Sequence, residues 1–206
     1  VLDNYGSFLG YVLIGICPIW HPSITLRTKS LVDVGGFNDD YARAEDFEVT
    51  ARLALNRCGA AILLKYHLLQ RQHNDRQSIQ FVEKQLQVAR LVHIEALRYF
   101  SSHPDVEKLS FFLRLEKDPD GEKLDRVYLK RMHMALADLL SNVKEKQKMS
   151  TSEIKLLKKI IYRRVGLGVY FSTELQVLPS ILFYPIFYLL SPLHLKNLRS
   201  VLSFIF

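Results

Sequence analysis

Cysteine is scarce. The 206-residue chain has two, Cys17 and Cys58, with no metal-like spacing between them. Two isolated thiols argue against a disulfide scaffold or a zinc site and suit a reducing compartment, where each reads most simply as a small apolar residue. Long apolar runs are scarce too. Phe8 to Ile16 is apolar but too short to cross a bilayer, which takes about 20 such residues. Val177 to Leu195 is longer but is broken by Pro179, Pro185 and Pro192. Proline inside a helix costs about 3 kcal/mol or more, so one straight spanning helix is not expected. There is no internal repeat, no low-complexity tract and no charged leader with a cleavage site. The first residue is Val and not Met, so the expectation is a fragment or a processed product.

Apolar residues make up 49% of the chain and charged residues 24%, which is enough to bury a core. The net charge is +7, and its position matters more than its size. Residues 1–141 balance, with 18 basic and 18 acidic side chains, whereas residues 142–206 hold ten basic and three acidic ones. The whole excess therefore belongs to the C-terminal third. There the basic residues have aliphatic neighbours rather than a stacking platform, which argues against nucleic acid. A kinked segment lying in a membrane interface fits better, with Phe183, Tyr184, Phe187 and Tyr188 buried and Lys155 to Arg164, Lys196 and Arg199 near lipid phosphates.

Along the chain, Phe8 to Ile16 reads as a buried helix ended near Gly15 and Pro18. Ile19 to Arg27 has β-branched residues and partial alternation and is expected to be a strand. Thr28 to Val34 can form a short helix, broken by Gly35-Gly36. Ala44 to Arg57 has helical apolar spacing and is closed by Cys58-Gly59, with Gly59 as the expected cap. Ala61 to Leu69 is a second strand candidate, and Gln70 to Ser78 reads as a loop. From Phe81 the period becomes helical, through Val88, Ala89, Val92 and Ala96. A polar linker near Asp118 leads to a helix with Met134, Leu136 and Leu139. Ser150 and Glu153 form a capping box that opens a last helix through Arg164.

Three features between His21 and Ser78 carry chemistry: Gly35-Gly36-Phe37, Ala44-Glu45-Asp46, and Arg71-Gln72-His73 with Ser78. A diglycine lets backbone approach a ligand closely, since no Cβ intervenes. Acids in a first helical turn sit in the positive field of the helix end, which favours the ionised carboxylate of Asp46. Such a base can take a hydroxyl proton as attack proceeds. Glu45 can hold acceptor hydroxyls, and His73 can meet a diphosphate or a divalent metal.

The ordered set His21-Pro22-Ser23-Ile24-Thr25-Leu26-Arg27, Val34-Gly35-Gly36-Phe37, Ala44-Glu45-Asp46-Phe47-Glu48 and Arg52-Leu53 resembles the second half of the family 2 glycosyltransferases. The resemblance covers roughly residues 5–80. It implies an α/β, partial Rossmann-like GT-A domain over 1–80, followed by a mostly α-helical region over 81–170 and a membrane-associating tail over 171–206. It further implies inverting transfer of a sugar from a nucleotide-diphosphate sugar to a hydroxyl acceptor, in cell-surface polysaccharide or glycolipid synthesis. In that scheme Asp46 is the catalytic base, Glu45, Gly35, Gly36 and Arg71 bind substrate, and His73 helps hold Mg²⁺ or Mn²⁺ with the diphosphate. The acceptor would be a glycan or a lipid-linked molecule, and the protein cytoplasmic, peripheral on the inner face of the cell membrane.

The family's nucleotide-binding strands and its Asp-x-Asp motif precede the matched part, and Asp3-Asn4 lacks that form. The chain alone is therefore expected to be inactive. The competing expectation is a non-enzymatic helical module that binds membrane or a protein partner, in which Glu45 and Asp46 are ordinary helix-start acids.

Overall fold

A computed structural model describes residues 4–63, 65, 68–69, 81–116, 120–123 and 125–172, with the side chains of the last helix described through 166. Among the described residues seven α-helices follow in order: α1 Tyr5–Leu13, α2 Thr28–Asp33, α3 Glu45–Leu55, α4 Val82–Arg98, α5 Val106–Arg114, α6 Arg126–Lys146 and α7 Thr151–Ser172. Short 3-10 turns lie at His21–Ser23 and Asp39–Tyr41.

The expected α/β, Rossmann-like GT-A domain is overturned: the described residues contain helices and no strand. Ile19 to Arg27 is not a strand. Pro22 has no N–H to give a ladder, and the chain turns instead, with Ser23 N–H and its hydroxyl both donating to the Trp20 carbonyl at 2.9 Å. Among the described residues of Ala61 to Leu69 there is no strand either. A strand is not a local property. β-branched residues favour extended backbone, but a strand needs a neighbour, and no described segment pairs with these.

Helix starts follow local chemistry. Asn4 Oδ1 accepts the Ser7 N–H at 3.0 Å, and Ser7 Oγ accepts the Asn4 N–H at 3.4 Å, a reciprocal cap that starts α1. The Asp125 carboxylate caps α6 by accepting the N–H groups of Val127 and Tyr128, each at 2.9 Å. The capping box of α7 is present: Ser150 N–H donates to Glu153 Oε2 at 2.8 Å, and Glu153 N–H donates back to Ser150 Oγ at 3.3 Å.

The end of α3 departs from expectation. Gly59 is not its cap. The left-handed residue is Arg57, at φ 60°. Its N–H bonds the Ala54 carbonyl at 3.1 Å and the next N–H, of Cys58, bonds Leu53 at 2.9 Å, the paired bonds of a Schellman end. A side chain tolerates that strain here because its guanidinium is used. It donates to the Gln147 carbonyl, reaches Glu153 at 3.3 Å and lies 4.8 Å from the centre of the Tyr5 ring.

One continuous core joins these helices, α2 excepted, and runs across residue 80. α1 lies at its centre, packed on α7, α3 and α4, with Leu9, Val12 and Leu13 fully buried. Gly6 and Gly10 face α7 so closely that a Cβ on Gly6 would stand 2.0 Å from the Glu153 carbonyl oxygen, and one on Gly10 3.2 Å from Ile160. α5, which the sequence reading did not single out, covers the far side of α4 with Val106, Leu109 and Leu113. The apolar pattern of α4 is used only in part: Val92 and Ala96 are buried, whereas Phe81 just before it and Leu91 are exposed.

His93, also not singled out from the sequence, is fully buried at the junction of α1, α4 and α5. Its Nε2 lies 3.0 Å from the Leu13 carbonyl and its Nδ1 2.8 Å from Ser110 Oγ. A carbonyl can only accept, so Nε2 carries the hydrogen and Nδ1 accepts from the serine. Burial lowers its pKa from 6.5 to about 4, against the opposing effect of the Leu13 hydrogen bond. The unfolded chain therefore binds the proton that the folded one refuses, and stability falls as pH drops from about 6.5 towards 4. The loss is roughly 2 kcal/mol between pH 7 and pH 5, above the range where the lowered carboxyls of Asp105, Glu116, Glu122 and Glu153 titrate. Urea unfolding at the two pH values should show that loss in the native protein and a much smaller one in His93→Gln. Equal pH dependence in both would contradict the assignment.

Candidate functional site

The site is built on α3 and the segments packed against it. Gly35 and Gly36 follow α2 with φ of 88° and 74°, a left-handed pair that side chains rarely adopt. A Cβ on Gly36 would meet nothing within 4 Å, so the turn demands glycine for its backbone and leaves open space beside it.

The turn is fastened to α3 by Arg52. Its Nε and Nη2 each lie 2.5 Å from the Glu48 carboxylate, a forked pair one helical turn apart. The same guanidinium donates to the carbonyls of Val34 and, at 2.6 Å, Gly36. Glu48 is buried, 6% exposed, and Arg52 neutralises it while satisfying two backbone acceptors. The sequence places Glu48 and Arg52 at i and i+4, the spacing of a helical ion pair. That pattern was visible, but nothing local shows that the arginine also reaches back 16 and 18 residues.

The clamp positions Phe37, whose ring lies 6.0 Å from the ring of His21. These two residues, with Ile19, Ile24, Leu26, Val49, Thr50 and Leu53, line an open groove of about 240 Å³. Val49, Thr50 and Leu53 are one face of α3, and Asp46 continues that face one turn toward the helix start. Asp46 is half-buried, with Oδ1 accepting the Phe47 N–H at 2.7 Å. Cys17 marks the same end. Its Sγ is 3.8 Å from Thr50 Oγ1 and 3.3 Å from the Ile19 carbonyl. Burial pushes the Cys17 thiol pKa up, and the nearby Asp46 charge adds to that, so it remains a thiol.

The structure thus ties Gly35 and Gly36 to the Glu48 and Arg52 side of α3, whereas Asp46 belongs to the face that carries Val49, Thr50 and Leu53. Glu45 Oε2 accepts the Arg43 N–H at 2.6 Å, holding the left-handed Arg43 at φ 84°. The Arg43 guanidinium in turn lies 3.5 Å from the centre of the Phe81 ring. Tyr41 fixes the loop from the other side, its hydroxyl 2.7 Å and 2.8 Å from the two Glu95 oxygens. Arg71, His73 and Ser78 lie outside the described residues. Among the described residues no group of three or more His, Cys, Asp or Glu side chains could hold a metal ion. The carboxylates of Glu45 and Glu48 are already engaged, by the Arg43 N–H and by Arg52. His21 and Arg52, which sequence reasoning left without a role, are the residues the geometry adds.

No protein-family description, curated protein or solved structure matches the chain.

Removing the clamp tests this arrangement. Arg52→Ala strands Glu48 as a buried charge and frees two carbonyls, at a cost of about 3 kcal/mol. Arg52→Lys restores the charge without the fork and recovers only part of it. Urea midpoints should rank native above lysine above alanine. Equal midpoints would show that the clamp does not hold the turn.

Proposed function

We propose that residues 17–55 form the acceptor side of a sugar-transfer site, with Asp46 as the base. The observation that carries this reading is the Arg52 clamp. It fixes the Gly-Gly-Phe turn to the acidic helix and so sets Phe37 over the groove, whose α3 face of Val49, Thr50 and Leu53 continues one turn on to Asp46.

The groove suits a sugar ring in size and character. Its walls are mostly apolar, as one face of a pyranose is, and the exposed His21 ring supplies polar atoms for orientation. In the reaction, Asp46 takes the proton of an acceptor hydroxyl while that oxygen attacks the anomeric carbon of a nucleotide-diphosphate sugar. The bond from the anomeric carbon to the diphosphate oxygen breaks on the opposite face. The products are the inverted glycoside, the nucleoside diphosphate and a proton on Asp46. Positioning and base assistance are the terms these residues would supply. Donor binding is assigned to none of the described residues, whose helices include no nucleotide-binding sheet.

The helical architecture also accommodates a second reading, a binding module without catalysis, and Asp46→Asn separates the two. In the full-length protein, nucleoside diphosphate release from uridine-, guanosine- and thymidine-diphosphate sugars, with membrane extract as acceptor, should fall about 100-fold or more. The unfolding midpoint should stay unchanged. Equal release by the two proteins, or none from any donor by the native protein, would contradict the transferase reading.

A further inference from the structure

The helical body neutralises many of its cations. Arg90 and Arg114 pair with Glu116, and Lys108 and Arg131 pair with Glu122. α7 breaks that habit. Lys155, Lys158, Lys159 and Arg163 are exposed, and none has an ion-pair or hydrogen-bond partner among the described residues. Lys155, Lys159 and Arg163 lie on the helix face turned away from the buried row of Ile154, Leu157, Ile161 and Val165, and Lys158 at the edge of that exposed face. The acid of this helix, Glu153, is on another side and engaged by Ser150 and Arg57. Lys155, Lys159 and Arg163 are spaced four apart, and like charges at that spacing destabilise a helix. The orientation of this face is fixed, because Gly6 and Gly10 hold the opposite side of α7 against α1.

We infer that this face of α7 docks on an anionic lipid surface. Charge complementarity names the partner: four cations on one amphipathic helix face match a layer of lipid phosphates and carboxylates. The chain after α7 has the matching chemistry, since Val177 to Leu195 carries Phe183, Tyr184, Phe187 and Tyr188 and is followed by Lys196 and Arg199. Among the described residues no helix is long and apolar enough to cross a membrane. The inference does not depend on sugar transfer, and it assigns membrane attraction to the folded body as well as to the sequence that follows it.

Flotation of the full chain with vesicles tests it, comparing phosphatidylcholine alone with phosphatidylcholine containing about a third phosphatidylserine. The native protein should prefer the anionic vesicles and lose that preference near 1 M salt, where screening acts within about 3 Å. Replacing all four cations with glutamine should lower partitioning on the anionic vesicles at least tenfold, each cation near the surface being worth roughly fivefold. A variant with Lys155, Lys158 and Lys159 changed to arginine should bind as the native protein does. So should one with Lys65, Lys84, Lys123 and Lys130 changed to glutamine, which removes the same charge elsewhere. The inference is overturned if the four-glutamine variant binds like the native protein, if the control variant loses as much, or if duplex DNA displaces the vesicles from this face.

Discussion

Two glycines set the geometry on which the other contacts rest. Gly6 and Gly10 stand one helical turn apart on α1, and α7 comes so near that the Glu153 backbone occupies the place of a side chain on Gly6 while Ile160 crowds Gly10. This contact lies at the centre of the core, because α1 also packs on α3 and α4. The C-terminal end of α3 is tied to the same unit by tertiary hydrogen bonds. The Tyr5 hydroxyl is 2.8 Å from the Ala54 carbonyl, and Gln147 Nε2 donates to the Leu55 carbonyl at 2.9 Å. Carbonyls that a helix end leaves unsatisfied are thus met by α1 and by the loop before α7. Arg57, bound to Gln147 and Glu153, closes the same corner.

From that frame the candidate site follows by short steps. α3 is held at its C-terminal end by the core and lines the open groove with Val49, Thr50 and Leu53, one turn beyond which stands Asp46. The Gly-Gly turn has no buried apolar residue of its own, and α2 before it buries none. Its position depends on one guanidinium. The region is therefore a site in which polar contacts, rather than packing, decide the shape. Contacts of that kind are the ones through which a bound ligand can alter a loop.

Much of the local structure was legible. Ser150 and Glu153 announced the start of α7, Gly35-Gly36 the break after α2, and the apolar spacing of Phe47, Ala51 and Ala54 the helix α3. These features depend on near neighbours in sequence. What was not legible depends on distant ones. Ile19 to Arg27 has strand composition, yet no described segment pairs with it and Pro22 supports a turn. Gly59 looked like the natural cap of α3, but the left-handed position fell to Arg57, whose strain is offset by partners 90 and 96 residues away. His93 carries no local signal of burial, and its partners Leu13 and Ser110 are 80 and 17 residues away. Of the site, the acidic helix and the glycine turn were visible as motifs, whereas the arginine that joins them was visible only as half of a helical ion pair.

The architecture depends most directly on the α1–α7 approach. Amide hydrogen exchange on Gly6→Ala addresses it, because the added methyl must displace backbone and not a yielding side chain. The expected result is loss of protection in α1 and α7 together with α3, and a lowered unfolding midpoint. Native protection throughout all three helices in that variant would contradict the close contact and the architecture built on it.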